Sequence, residues 1–198
     1  MQIDLTLYIV IKCLYFGCLC NNSSFYRDGG ELRFKNLTIY DLGKCYHFFM
    51  KGLNEKSRFY FMYHPNVKLL AYLIYLYFYI RQLLKKSQYI LCYEDGDLFS
   101  YPIGFITLEK KSKTTFEMGI AVSENKRGQG YGKLLMEEII SRAKRLDCKD
   151  LLLTYEPSND IAKNLYLKFG FQEYGTLYSK SMFRKNRSEN VMKLELNH

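Results

Sequence analysis

A chain of 198 residues is the length of one globular domain with a sizeable core, and 48% hydrophobic residues with 3 prolines exclude a disordered or proline-rich architecture. Lys and Arg total 29 against 20 acids, a net charge of +9 that favours an anionic ligand or partner; the basic residues are scattered without the aromatic interleaving of an RNA-binding surface, so no nucleic-acid role is expected. Neither the cysteines at 13, 18, 20, 45, 92 and 148 nor the histidines at 47, 64 and 198 have metal-ligand spacing, so no metal is expected, and the cysteines read as the reduced thiols of a cytoplasmic protein.

Residues 1–30 read as an N-terminal extension whose role the sequence leaves open, whether added strand, homodimer contact or disordered arm, and residues 31–198 as a single domain. Within the extension, "IDLTLYIVIKCLYFGCLC" contains Asp4 and Lys12 and lacks both a basic leader and a small-residue cleavage site, so it reads as a strand or two rather than a signal peptide. A turn at Asp28 to Gly30 leads into a strand, and Thr38-x-x-Asp41 has the capping pattern that opens a helix through about Lys51. After His64-Pro65 a second helix runs over about Asn66 to Lys86. Its apolar run, "LLAYLIYLYFYI", has only 12 residues between Lys68 and Arg81, against the roughly 20 that span a bilayer, so no transmembrane segment is expected. A buried, Tyr-rich helix is the plain reading, with a membrane-surface role left open.

Three consecutive antiparallel strands follow, "QYILCYE", "PIGFITLEK" and "TFEMGIAV". After a glycine-rich stretch, Leu135, Ile139, Ala143 and Leu146 recur at helical spacing over about Gly130 to Leu146. The unbroken apolar run "LLLTY" predicts a strand buried on both faces and paired in parallel. Asn159 to Phe169 returns to helix, stopped by Gly170, and "FQEYGTLYS" and "NVMKLEL" close the chain as strands. The fold class is mixed α/β of the α+β kind, a central sheet flanked by helices.

The chemistry concentrates at "KRGQGYGK", residues 126–133, between the third strand and the helix. Strand, glycine-rich turn and helix make an anion site, because free backbone N–H groups and the helix dipole converge on it. It is not a nucleotide triphosphate loop: Arg127 stands where Gly-x-x-x-x-Gly-Lys-Ser/Thr needs its first glycine, and Leu134 where it needs the hydroxyl. Nor is it the dinucleotide fingerprint, since Lys133 occupies the place of the third glycine.

What these residues do match is Arg/Gln-x-x-Gly-x-Gly/Ala, as Arg127-Gly128-Gln129-Gly130-Tyr131-Gly132. A second block, "NDIAKNLYLKFGF", supplies Asn159, Ala162 and Tyr166 followed by Phe169-Gly170-Phe171. Together they resemble the GNAT superfamily of acetyl-CoA-dependent N-acetyltransferases, over about Gln88 to Phe171 and less closely on either side. The resemblance implies a bent, mixed but mostly antiparallel sheet, splayed between the strands near 115–122 and 150–155, with acetyl-CoA in the gap. Pantetheine would pair with the Ile120-Ala121-Val122 segment, through the backbone of Ile120 and Val122. The pyrophosphate would meet the N–H groups of Gly128, Gln129, Gly130, Tyr131, Gly132 and Lys133, with charge from Arg127 and Lys133.

Asn159, Ala162 and Tyr166 share one helix face, which the resemblance turns toward the cofactor. Tyr166 is then either the proton donor to the departing thiolate or a core residue. For the base that takes the proton from the amine, the resemblance points to Glu117 or Glu156, with a water chain as a third route. Glu117 stands one residue from the family's position, so strand alternation aims it at the opposite face unless a bulge intervenes, and Glu156 comes two residues after the other family position. No cysteine sits beside a base, which favours direct attack in a ternary complex over a covalent relay. The acceptor, a small-molecule or a peptide or protein amine, is not legible. A non-catalytic acyl-CoA-binding module is the alternative function.

Overall fold

In the computed structural model, which describes residues 23–27, 30–61, 68–94, 100–181 and 184–196, glycines and turn residues cut the β-rich runs into eight strands. They are β1 (Ser23–Arg27), β2 (Gly30–Asn36), β3 (Ser87–Glu94), β4 (Gly104–Lys110), β5 (Thr115–Val122), β6 (Asp150–Tyr155), β7 (Gln172–Ser181) and β8 (Arg184–Glu195). They form one sheet in the order β1-β2-β3-β4-β5-β6-β8-β7, and the only parallel pair is β5 with β6. Within residues 1–30, β1 lies antiparallel to β2; the strand or two expected over residues 3–20 fall outside the described residues.

Five α-helices accompany the described sheet: α1 (Leu42–His47), α2 (Glu55–Phe61), α3 (Lys68–Leu83), α4 (Tyr131–Arg145) and α5 (Asp160–Lys168). The helix expected from Thr38 to Lys51 is three pieces, a 3₁₀ turn at Ile39–Asp41, α1, and a π turn at Phe48–Gly52. Its cap forms as the sequence suggests, Asp41 accepting from the Thr38 N–H at 2.9 Å and from its hydroxyl at 2.5 Å. The π turn has a packing cause. Phe48 and Phe49 are consecutive and both fully buried, and a wider turn rotates less per residue, which brings both rings onto the core face. Helix α2 is capped by Asn54, whose Oδ1 accepts from the Ser57 N–H at 2.9 Å, and it was not foreseen from the sequence.

The two faces of the sheet carry different cores. One is aliphatic and packs Leu135, Met136, Ile139 and Ala143 of α4 against Phe116, Met118, Leu151, Leu153 and Met192. The other is aromatic, with Phe48, Phe49, Tyr75 and Phe78 from the α1 to α3 side against Tyr89 and Phe105; the Phe78–Tyr89 rings stack at 4.5 Å. Burying aromatic pairs of this kind contributes roughly 0.5–1.5 kcal/mol each beyond their area.

Two expectations are corrected. Burial in β6 alternates, with Leu151, Leu153 and Tyr155 buried and Leu152 and Thr154 half-buried, so the run is not sunk on both faces. The reason is that only the aliphatic core covers β6: Leu151, Leu153 and Tyr155 belong to it, and the aromatic core on the other face takes no residue of β6. Leu146, expected on the buried face of α4, is instead its exposed C-cap residue. Gly170 ends α5 as expected, at φ +85°, with the Phe171 N–H returning to the Tyr166 carbonyl at 3.1 Å.

Candidate active site

The site grows from a break in the sheet. Strands β5 and β6 pair at Thr115↔Asp150, Phe116↔Leu151 and Glu117↔Leu152, and no further pairing joins them. On the other edge of β5, Ser123 N–H bonds Ile103 O at 2.8 Å and Lys111 N–H bonds Thr115 O at 2.9 Å. In an antiparallel ladder that phase turns the backbone of Glu117, Gly119 and Ala121 toward β4, and that of Met118, Ile120 and Val122 toward the break. The Met118 carbonyl and both backbone groups of Ile120 and Val122 therefore face a cavity of about 910 Å³ between the two strands, while the Met118 N–H belongs to the last β5–β6 pair. An extended ligand with amides can satisfy them as a missing strand would. Ala121 also lines the cavity, but its backbone is paired with Phe105 and its side chain belongs to the aromatic core.

At the open end of β5 the chain enters the glycine loop. Gly128 and Gly130 hold φ of +72° and +83°, the left-handed region that side chains resist, and Gly130 is the N-cap of α4. A Cβ on Gly132 would come within 3.3 Å of Leu165 Cδ2, so this glycine lets α4 and α5 approach. Gly128, Gly130, Tyr131 and Gly132 all line the cavity, and α4 points its positive end at it.

The remaining loop residues divide. Tyr131 buries its ring in the aliphatic core and gives its hydroxyl to Glu94, so only its backbone serves the loop. Lys133 and Gln129 do not line the cavity. The Lys133 N–H is spent on Gly130 O at 3.1 Å, its side chain is exposed beside Glu137, and the Gln129 amide turns back to Asn125 O at 2.9 Å. Arg127 does line it, anchored from α2: its Nη2 donates to Ser57 Oγ at 2.8 Å and lies 3.1 Å from Glu124 Oε1, which also accepts from Ser57 at 2.7 Å.

Across the break, α5 brings Asn159, Ala162 and Tyr166 to the same cavity. Asn159 caps the helix, its Oδ1 accepting from the Ala162 N–H at 3.3 Å. Tyr166 is buried, edge-on to Tyr155 at 6.2 Å and tilted against Phe171 at 6.0 Å. Burial pushes its phenol up to about 12, so it stays protonated through the neutral range.

Carboxylates line the far side. Glu117 sits at the last β5–β6 pair, with no bulge, so alternation places it with Gly119 and Ala121 on the face opposite Phe116; it is ion-paired with Lys111. Glu156 lines the cavity just beyond β6. Sequence reading missed three others, Glu109, opposite Glu117 in the β4–β5 register, Asp160 in the first turn of α5, and the buried Glu189 of β8. The hairpin register would have found Glu109. Nothing local announces Glu189, because its place depends on a chain-distant pairing of β8 with β6.

Among the described residues no cluster of His, Cys, Asp or Glu is fit to hold a metal. The described cysteines, Cys45, Cys92 and Cys148, lie away from the cavity, and burial raises each thiol above its ordinary value, Cys148 to about 11.

Residues 52–171, more than half of the chain, match the family model described as the acetyltransferase (GNAT) family. A protein of Bacillus subtilis (strain 168) named for alanine N-acetylation of ribosomal protein bS18 is 32% identical over 89 residues, 45% of this chain and 56% of that protein. The match thus spans about half the length of that curated relative. Among solved structures, the ribosomal-protein-S5-alanine acetyltransferase of Vibrio fischeri superposes with a TM-score of 0.71 at 11% identity, covering 87% of this chain and 96% of that one. The acetyltransferase yncA of Salmonella typhimurium, solved with its cofactor acetyl-CoA, gives 0.61 at 16% identity, with 84% and 94% covered. At these identities the structural likenesses show the fold.

Proposed function

The chain belongs to the acetyltransferase (GNAT) family, and from that premise we propose that it transfers an acetyl group from acetyl-CoA to a primary amine by direct attack within one ternary complex. The observation that carries this reading is the break in the sheet, where the unpaired backbone of Ile120 and Val122 leads straight to the Gly128–Gly132 loop. Those strand groups suit an amide-bearing arm, and the glycine loop with the α4 dipole suits a pyrophosphate. Bound acetyl-CoA supplies an activated thioester. Arg127, pre-set by Ser57 and Glu124, adds charge at the loop, and Asn159 and Ala162 form the opposing wall.

Tyr166 holds the proton that a departing thiolate needs. Its burial keeps that proton in place at neutral pH, and the same dry surroundings raise a neighbouring thiolate above the roughly 8.5 of a free thiol, which narrows the gap between donor and acceptor. The amine must lose a proton, and Glu117, at the closed end of the break, and Glu156, next to Tyr155, are the two bases we favour among the carboxylates that line the cavity. Five carboxylates, Glu109, Glu117, Glu156, Asp160 and Glu189, line the cavity and, with Lys111 held by Glu117, favour a cationic acceptor. With relatives named for alanine N-acetylation, a protein or peptide α-amine is the acceptor we favour over a small-molecule amine.

CoA release on mixing the protein with acetyl-CoA and a panel of peptides and small amines tests the reading. Turnover with free α-amines, lost when the peptide N-terminus is blocked, supports it. Tight acetyl-CoA binding without turnover on any amine would replace it with a non-catalytic acyl-CoA-binding role.

A further inference from the structure

Helix α3 carries an apolar stripe that the acyl-transfer reading leaves unused. It buries Ala71, Tyr75, Phe78 and Tyr79 against the aromatic core, yet its opposite face is also apolar. Leu69, Leu73, Tyr77, Ile80 and, just past its end, Leu84 follow one another at spacings of three or four, and all are exposed, Leu69 at 72% and Leu84 at 59%. A helix apolar all round asks for cover on both sides, and a contiguous exposed stripe of this length is uncommon on a soluble monomer. Among the described residues no helix is long and apolar enough to cross a membrane, so the stripe is a surface feature.

Charge selects the occupant. From Lys68 to Lys86 the chain carries four cations, Lys68, Arg81, Lys85 and Lys86, and no acid. Lys68 stands at one end of the stripe and Lys85 and Lys86 at the other, all three exposed, while Arg81 stacks over Tyr77 and bonds its hydroxyl at 3.2 Å. A second copy docked on this face would bring like charges together. Arg81 is also paired with Glu109 at 3.5 Å, and residues 3–20 of the same chain, whose only charges are Asp4 and Lys12, have one anion to answer the three exposed lysines. An anionic lipid surface answers both features: acyl chains for the leucines, headgroups for the rim, and an interfacial place for Tyr77. We propose that α3 is a peripheral membrane anchor that seats the protein on an anionic bilayer surface with the Leu69 to Leu84 stripe in the interface.

The test is co-sedimentation of the full chain with vesicles of phosphatidylcholine alone or mixed with phosphatidylglycerol. The expected result is partition at least about tenfold stronger onto the anionic vesicles, weakening as salt rises. Leu69→Glu with Leu73→Glu should lower that partition by at least about tenfold while leaving the melting temperature and acetyl transfer in solution unchanged; Lys85→Glu with Lys86→Glu should remove most of the salt dependence. Failure to pellet with either vesicle overturns the proposal. In that event, a dimer that the stripe variant splits identifies a second copy as the cover, and a monomer whose melting temperature falls in the variant identifies residues 3–20.

Discussion

The two ends of the cavity are built in different ways. The end we assign to the donor comes from one continuous stretch, Met118 to Gly132, and offers backbone: unpaired strand groups, two left-handed glycines and a helix N-terminus. The end we propose for the acceptor is assembled from side chains on separated segments, among them Glu109, Glu117, Glu156 and Glu189. A backbone site holds one ligand and tolerates drift in the surrounding sequence, whereas a side-chain wall can be rebuilt for new acceptors on the same frame. This division fits a chain that shares its fold with the Vibrio fischeri enzyme at 11% identity.

The sharpest way to break the comparison is at the donor end. Gly130→Val places a β-branched residue at φ +83° and should weaken acetyl-CoA binding by about 100-fold in calorimetry, the equivalent of roughly 3 kcal/mol of strain and lost approach. An unchanged affinity would mean that the loop is only a turn. Tyr166→Phe, at the junction of the two ends, should lower kcat by about 100-fold with acetyl-CoA affinity held within about twofold. Because burial raises this phenol, its alkaline limb in kcat should fall near pH 12 rather than near the ordinary 10, and should vanish in the variant. At the acceptor end, Glu189→Gln should raise KM for a cationic peptide by about fivefold and leave KM for acetyl-CoA alone, the pattern of a charge that recruits one substrate only. The smallest effect is expected of Ser57→Ala, which loosens Arg127 from α2 and should weaken acetyl-CoA binding by about threefold, one hydrogen bond's net worth.

That same contrast decides what could be read from the chain. The donor end was legible because its logic is local: glycines at fixed offsets, a helix start, and Asn159, Ala162 and Tyr166 on one face. Even there, reading stopped at the atoms that packing controls. Gln129 and Lys133 look like ligands in the motif, yet one folds back on Asn125 and the other spends its amide inside the first turn of α4. Helix α2 escaped notice because its capping Asn54 lies in the charged run Asn54-Glu55-Lys56, where no apolar period shows, and its contact with Glu124 spans 67 residues. The π turn at Phe48 answers to a core crowded by two adjacent rings, which no helix pattern encodes. The acceptor wall needs the β6–β8 pairing before Glu189 has a place at all.

The central claim is that acetyl-CoA lies in the break between β5 and β6, completing the sheet. Amide hydrogen exchange with and without saturating acetyl-CoA tests it directly. The account predicts marked slowing at Ile120 and Val122, with little change at Met118, whose amide is held in the last β5–β6 pair, or at Gly119 and Ala121, whose amides already face β4. Bound acetyl-CoA that leaves the Ile120 and Val122 amides exchanging at their free rates would contradict it.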